Sequence, residues 1–352
     1  MAPEQGQAVT PPCENGAMEM NLCSLSPYFH DEAAAWELME SLRWPYGPEC
    51  PHCGEVDRAT YLNPRNGHRT TSTGAVSYRR TWKCQACKRK FSVLVGSIFE
   101  DSKVPLSKWL AAFYMLTANK NGVAAYEIHR TLGVTNRTAG FMMHRIREAT
   151  KVGPLADMLR GMIVADETWI GGNPKNRHGE APHDKKRLNA RTYELITPGM
   201  KIRKTDKTPV LTLIDAETGE VRSRVVRDVT GHTLRKVIAD QVDMGRSHLQ
   251  TDEGAQYNQL GREFLSHETV NHSAGEYVRG DVTTNRDEGY FSQLKRSIDG
   301  THHHVSKRHL PRYLAEFDYR YTTCKLSDSE RMKRLVRQAG GRRLTRRMLA
   351  AR

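Results

Sequence analysis

The side chains that could do chemistry in this sequence are three carboxylates and an amine: Asp166, Asp252, Glu288 and Lys295. Asp166 ends the apolar run Met162-Ile163-Val164-Ala165, which reads as a buried strand. Asp252 follows Leu249-Gln250-Thr251, a second short strand-like approach to a carboxylate. Glu288 and Lys295 lie two helical turns apart, so both project from one helix face. Gathered by folding, the three acids would hold two Mg2+ ions (Mn2+ could substitute), and such a pair drives displacement at phosphorus. Three unrelated surface acids are the plainer reading. Strand-end placement of the first two, and a lysine paired with the third, argue against it.

A second constellation is Cys50-Pro51-His52-Cys53 with Cys84-Gln85-Ala86-Cys87. Each CxxC turn brings two sulfurs to one ion, and four thiolates complete tetrahedral Zn2+. No coordination position is left open, so this zinc is expected to be structural. A thioredoxin-like redox motif needs one CxxC at a strand–helix junction, not two in a basic, loop-rich setting. His52 is expected to be a bystander, and Cys13, Cys23 and Cys324 ordinary free thiols.

These groups must be positioned by a chain of 352 residues, about two or three domains. Its net charge is +14, with 54 Lys and Arg against 40 Asp and Glu. That surplus points to a polyanionic partner, nucleic acid first. No apolar run approaches spanning length, which argues against a membrane protein. The Met1-Ala2-Pro3-Glu4-Gln5-Gly6 start lacks the regions of a signal peptide, so a cytoplasmic protein is expected, and with a nucleic-acid partner a nucleoid-associated one.

The pattern predicts a loose N-terminus over 1–27, then a helix plus zinc ribbon over 28–100, with Asp31 capping a helix over 30–42. A helical segment follows over 101–152. In it, Glu127 to Ala139 has the rhythm of a helix-turn-helix around Gly133-Val134-Thr135. Asn136, Arg137, Thr138 and His144 are its exposed candidates for phosphates or base edges. An ordinary helical hairpin is the plainer alternative, weakened by the neighbouring ribbon and the basic chain. Alternating strands and helices then occupy 160–325. They comprise a strand over 162–168, a basic flexible insertion over 171–208 and a hairpin of 210–214 with 221–226. A helix opening at Thr230, a strand over 248–251, a short one near 269–272, the helix of Glu288 and Lys295, and a helix from Leu310 complete them. A basic tail is expected over 326–352. Tyr290 and Phe291 read as packing residues. His302-His303-His304 reads as a turn against the helix or the DNA backbone rather than a metal site.

Together these residues resemble the bacterial insertion-sequence transposases of the zinc-ribbon DDE type. The resemblance runs from about residue 28 to 325. It rests on Cys50-Pro51-His52-Cys53-Gly54, Val164-Ala165-Asp166-Glu167-Thr168-Trp169-Ile170-Gly171-Gly172 and Thr251-Asp252-Glu253, and on the block Thr284-Asn285-Arg286, Glu288-Gly289, Leu294-Lys295-Arg296. It implies a multidomain α/β protein: a small zinc ribbon, a helix-turn-helix segment and an RNase H-like mixed-sheet catalytic core. In that core the first Asp lies on the first strand, the second after the fourth, and the third residue on a later helix. The family is often described with Asn at the third position, so Asn285 stands beside Glu288, and Asp287 faces away from Lys295. Thr283-Thr284 departs from the His the family often shows there. The resemblance further implies binding of terminal inverted repeats and target DNA, Mg2+-dependent cleavage and strand transfer, phosphate contacts from Lys295 and Arg296, and homo-oligomers on DNA. A DNA-binding protein without catalysis, or an RNase H-like nuclease that does not join, are the rivals.

Overall fold

A computed structural model of the chain describes residues 19–64, 68–153, 156–171, 193–197, 200–203, 207–252, 254–270, 278–279, 282–283 and 285–350. At 193–197, 200–203, 270, 278–279, 282–283, 285–288 and 350 the backbone alone is described. The N-terminal stretch expected to be loose is already helical from Leu22. Helix α1 (Leu22–His30) opens with a reciprocal cap between Asn21 and Ser24, and buries Leu25. Helix α2 (Glu32–Arg43) is capped by Asp31, as the sequence predicted.

The ribbon follows as a three-stranded antiparallel sheet of β1 (Ala59–Tyr61), β4 (Trp82–Cys84) and β5 (Lys90–Phe91), with a hairpin of β2 (Arg69–Thr70) and β3 (Val76–Ser77). It is tied to α2 through buried Glu40, which accepts hydrogen bonds from Trp82 Nε1 (2.9 Å) and Arg80 Nε (2.7 Å). Burial raises the pKa of Glu40, and the Trp82 and Arg80 contacts oppose that shift.

Helix α3 (Leu106–Ala118) begins after Pro105, which gives it no side-chain cap. Glu32 of α2 supplies one instead, accepting from the N–H of Leu106 (2.7 Å) and Ser107 (3.0 Å). Helix α4 (Ala125–Leu132) stops at Gly133, whose φ of +59° suits glycine, and α5 (Asn136–Thr150) starts three residues on under a Thr135 cap.

The next domain is built on a five-stranded sheet ordered β10-β9-β6-β11-β12. These are β6 (Leu159–Ile170), β9 (Thr208–Asp215), β10 (Val221–Val225), β11 (Val242–Asp252) and β12 (Ser266–Val270). Strands β10, β9 and β6 run antiparallel; β11 is parallel to β6 and to β12. Two small hairpins pair β7 (Tyr193–Thr197) with β8 (Met200–Arg203) and β13 (Val278–Arg279) with β14 (Val282–Thr283). The insertion expected over 171–208 otherwise lies largely outside the described residues, and Thr208 already belongs to β9.

Strand alternation divides the core. Ile163, Ala165, Leu211, Leu213 and Leu249 face α6 (Gly231–Ala239) through Leu234 and Ile238. Ile170, Val210, Ile214 and Val221 face α7 (Asn285–Ser297) and α8 (Leu310–Thr322) through Tyr290, Phe291, Leu294, Leu314 and Phe317. Each such buried side chain contributes about 1.5–3 kcal/mol, so both helical layers are held firmly.

The segment expected as a basic tail is folded. Helix α9 (Asp328–Gln338), opened by a Ser327/Glu330 capping box, puts Met332, Leu335 and Val336 into one core with Trp36, Met39 and Phe113. Backbone bonds from Ile98 N to Ala339 O (3.1 Å) and from Gly341 N to Gly96 O (2.8 Å) fasten it to the segment after the ribbon. A short α10 (Arg346–Ala350) follows. The sheet domain therefore leaves and re-enters a helical module built from both ends of the described chain.

Candidate functional site

Asp166 lies in the second half of β6, opposite Thr212 of β9. The parallel register of β6 with β11 runs through Val164↔Gln250, and two residues further along each strand stand Asp166 and Asp252. The two aspartates are thus level on neighbouring strands. Alternation sets the face as well. Ile163, Ala165 and Leu249 point to α6, so Asp166 and Asp252 point to the side that α7 covers. Asp166 Oδ1 accepts from Glu167 N (2.7 Å), and Asp252 Oδ1 accepts from Gly254 N (3.0 Å), which starts the turn after β11.

Helix α7 begins at Asn285, so Asn285 and Glu288 occupy its first turn and Lys295 and Arg296 its last. The side chains of Asn285 and Glu288 lie outside the described residues, and the choice between them stays open. Lys295 and Arg296 are exposed, with the Lys295 ammonium 5.9 Å from the Phe291 ring centroid. Among the described residues no three carboxylates come close enough to share one ion.

Glu167 went unmarked by sequence reasoning. It points to the opposite face from Asp166, where the Tyr257 hydroxyl donates to its Oε1 and Gln256 Nε2 lies 3.5 Å from Oε2. Burial pushes its carboxyl up to about 7. The Tyr257 bond opposes that shift, and the charges of Asp166 and Asp252 add to it. Its place directly after Asp166 was the available signal.

The α4–α5 candidates separate. Asn136 and Arg137 are exposed at the start of α5; Thr138 is half-buried, its N–H donating to Thr135 Oγ1 (3.2 Å). His144 was expected to be exposed and is not. Its ring packs 4.5 Å from that of His309 and 6.1 Å from that of Tyr313, at the seam with α8. Burial, then the charge of Arg147, lowers its pKa to about 3. His302 packs similarly, 4.8 Å from Tyr313, and burial lowers it to about 4.

That seam is ionic at its centre. Glu316 of α8, 0% exposed, accepts from Arg147 of α5 (2.6 Å) and from Arg320 (2.8 Å). Burial alone would raise its pKa, but Arg147 and Arg320 reverse this and hold it at about 2. Arg320 also donates to the Asn119 carbonyl after α3. Helix α7 is anchored to the same loop, through Gln293 Nε2 to Lys120 O (3.1 Å) and Ser297 Oγ to Asn121 O.

The cysteines meet as the spacing predicted. Their four sulfurs lie within 4.8 Å of one another, with Cys50–Cys87 and Cys53–Cys84 both 3.7 Å apart. A tetrahedron of thiolates about 2.3 Å from zinc has edges of about 3.8 Å, so the set fits structural zinc. Each knuckle turns through a left-handed residue after its second cysteine, Gly54 (φ +76°) and Lys88 (φ +61°). His52 stands aside, its Nε2 3.4 Å from Lys90 O. Prolonged chelation, or Cys84→Ser, is expected to unfold the ribbon and lower the stability of the α1–α3 layer. The check is one zinc per chain by metal analysis, and its loss together with a lower Tm.

These two sites, four thiols at zinc spacing in a ribbon and paired aspartates on a mixed sheet, define a class of zinc-ribbon protein with an α/β domain. Residues 30–90 match the family model of the transposase zinc-ribbon domain, and residues 158–322 that of the ISXO2-like transposase domain. The chain belongs to the insertion-sequence transposase family that carries these two domains in this order. A relative from Halobacterium salinarum, described as an uncharacterized protein in transposable element ISH50, is 27% identical over 88% of this chain and 98% of its own. A solved simian T-cell lymphotropic virus intasome in complex with PP2A regulatory subunit B56 gamma aligns at 16% identity and TM-score 0.25. That alignment covers 56% of this chain and 64% of that one, under two thirds of its length. Among the described residues, no helix is long and apolar enough to cross a membrane.

Proposed function

We propose that the protein is a DNA transposase. In this reading it binds the terminal inverted repeats of its element, cuts their strands with Mg2+ and joins the freed 3'-hydroxyl to target DNA, working as a homo-oligomer on DNA. The observation that carries the reading is the level placement of Asp166 and Asp252 on adjacent parallel strands, on the face covered by the helix of Asn285 and Glu288. The antiparallel-then-parallel strand order supports an RNase H-like core. The zinc ribbon and the α4–α5 pair, read as a helix-turn-helix, support recognition of DNA through Asn136, Arg137 and Thr138.

Asp166, Asp252 and the α7 residue, Glu288 with Asn285 beside it, are hard oxygen donors suited to Mg2+ or Mn2+. A bound pair of such ions supplies Lewis acidity to attacking and leaving oxygens. Lys295, on the same helix face as Glu288, neutralises a phosphate next to the scissile bond, and Arg296 extends that contact. Asp166 and Asp252 are kept in place by their backbone bonds to Glu167 and Gly254.

The test is a strand-transfer assay with the full chain, Mg2+ and duplexes carrying the ends of the DNA that flanks the coding region. Nicked ends and joined products, both lost with chelator, are expected. Nicking without joining would leave a nuclease, and binding without nicking a DNA-binding protein.

A further inference from the structure

The C-terminal arm runs alongside α5 towards its exposed end. Arg342 Nη1 donates to Glu148 O (2.6 Å), and Leu344 O accepts from Arg145 Nε (3.1 Å). The Arg346 guanidinium lies 5.7 Å from the Phe141 ring centroid, which Arg145 approaches at 4.5 Å. The arm thus passes positions 148, 145 and 141 in turn, and brings exposed Arg346 and Arg347 near the end where Asn136 and Arg137 are exposed.

Gly140 stands three positions after Arg137 and one before Phe141, whose ring Arg346 approaches. It is helical, and a Cβ built on it would meet nothing within 4 Å. Gly140 is half-buried with room for a Cβ, and glycine weakens a helix interior relative to alanine, so packing gives no reason for it there. A glycine with open space above it, one turn from Arg137 and beside the Phe141 ring that Arg346 approaches, suits a polyanion whose edge approaches the helix backbone.

We propose that the first turns of α5 and the C-terminal arm form one composite surface for duplex DNA, in which Gly140 is the point of closest approach and Arg346 and Arg347 contact phosphates. This rests on the proposed DNA recognition by α5, and adds to it a second element and a contact point. The arm is then part of the recognition surface.

The experiment measures binding of the full chain to a short mixed-sequence duplex and to a duplex from the element's end, across a salt series. Arg346→Ala with Arg347→Ala is expected to reduce the slope of log affinity on log salt by about two. Gly140→Leu is expected to raise Tm and to weaken binding about tenfold, with Gly140→Ala raising Tm at a smaller loss of affinity. Unchanged slope and unchanged Gly140→Leu affinity overturn the proposal. So does a Gly140→Leu effect on self-association alone, which would mean that a second copy of the chain occupies the gap. Asn136→Ala with Arg137→Ala separates the two levels. If that pair weakens binding and the arm and glycine variants do not, only the composite surface fails. If none of the variants changes binding, recognition by α5 fails with it.

Discussion

Asp166→Asn is expected to reduce strand cleavage at least about a thousandfold while duplex affinity and Tm stay close to those of the parent. The substitution is isosteric and keeps an oxygen that can accept the Glu167 N–H, so β6 has no reason to shift. What it removes is negative charge and a hard anionic donor, which a doubly charged cation needs far more than the fold does. Removing that charge also relieves the repulsion felt by Glu167, so the fold should tolerate the change well. Gel assays of cleavage, with parallel binding and melting measurements, separate the outcomes. Cleavage at the parental rate would remove Asp166 from the site and with it the paired-aspartate reading.

Glu316→Ala is expected to cost about 3–5 kcal/mol, because it leaves Arg147 and Arg320 buried without their counter-charge. The loss falls on the seam between α5 and α8, so the helical module and the sheet domain should begin to melt separately. Calorimetry showing one unchanged transition would count against this. Acid should act on the same seam. Glu316 titrates below its ordinary 4.5, so its stabilisation is complete above that pH and is lost as pH falls towards about 2. His144 and His302 are held neutral, at about 3 and about 4 against an ordinary 6.5, so unfolding takes up their protons and stability declines below that pH. Both effects have the same sign, and Tm should drop steadily on acidification from neutral pH.

Some elements were legible because a local rule suffices for them. Asp31 caps α2 and Gly133 ends α4 through backbone groups within a few residues. The two CxxC pairs carry their own knuckle geometry. The apolar runs of β6 and β9 are read directly from the chain as buried strands, whereas the face that Asp166 takes follows from the helices covering each side. Other elements were misread because their partners are distant in sequence. Helix α9 is so rich in arginine and lysine that its apolar stripe of Met332, Leu335 and Val336 passed for a basic tail. That stripe is explained only by the core that α2 and α3 offer it. His144 looked like a surface residue because α8, more than 160 positions later, is what covers it.

By itself the sequence determined which side chains exist to do chemistry: two aspartates that follow strand-like segments, an acid and a lysine on one helix, and four thiols at zinc spacing. Those are matters of residue type and short period, and a chain encodes them locally. The pairing with β9 carries β6 four residues past Asp166, so only Asp252 stands at a strand end. The tertiary structure decided that β11 lies beside β6, which sets Asp252 level with Asp166. It also decided that the C-terminal arm returns along α5 and that Glu316 joins two modules. Such pairings depend on which distant surfaces bury one another best, and no local pattern carries that information.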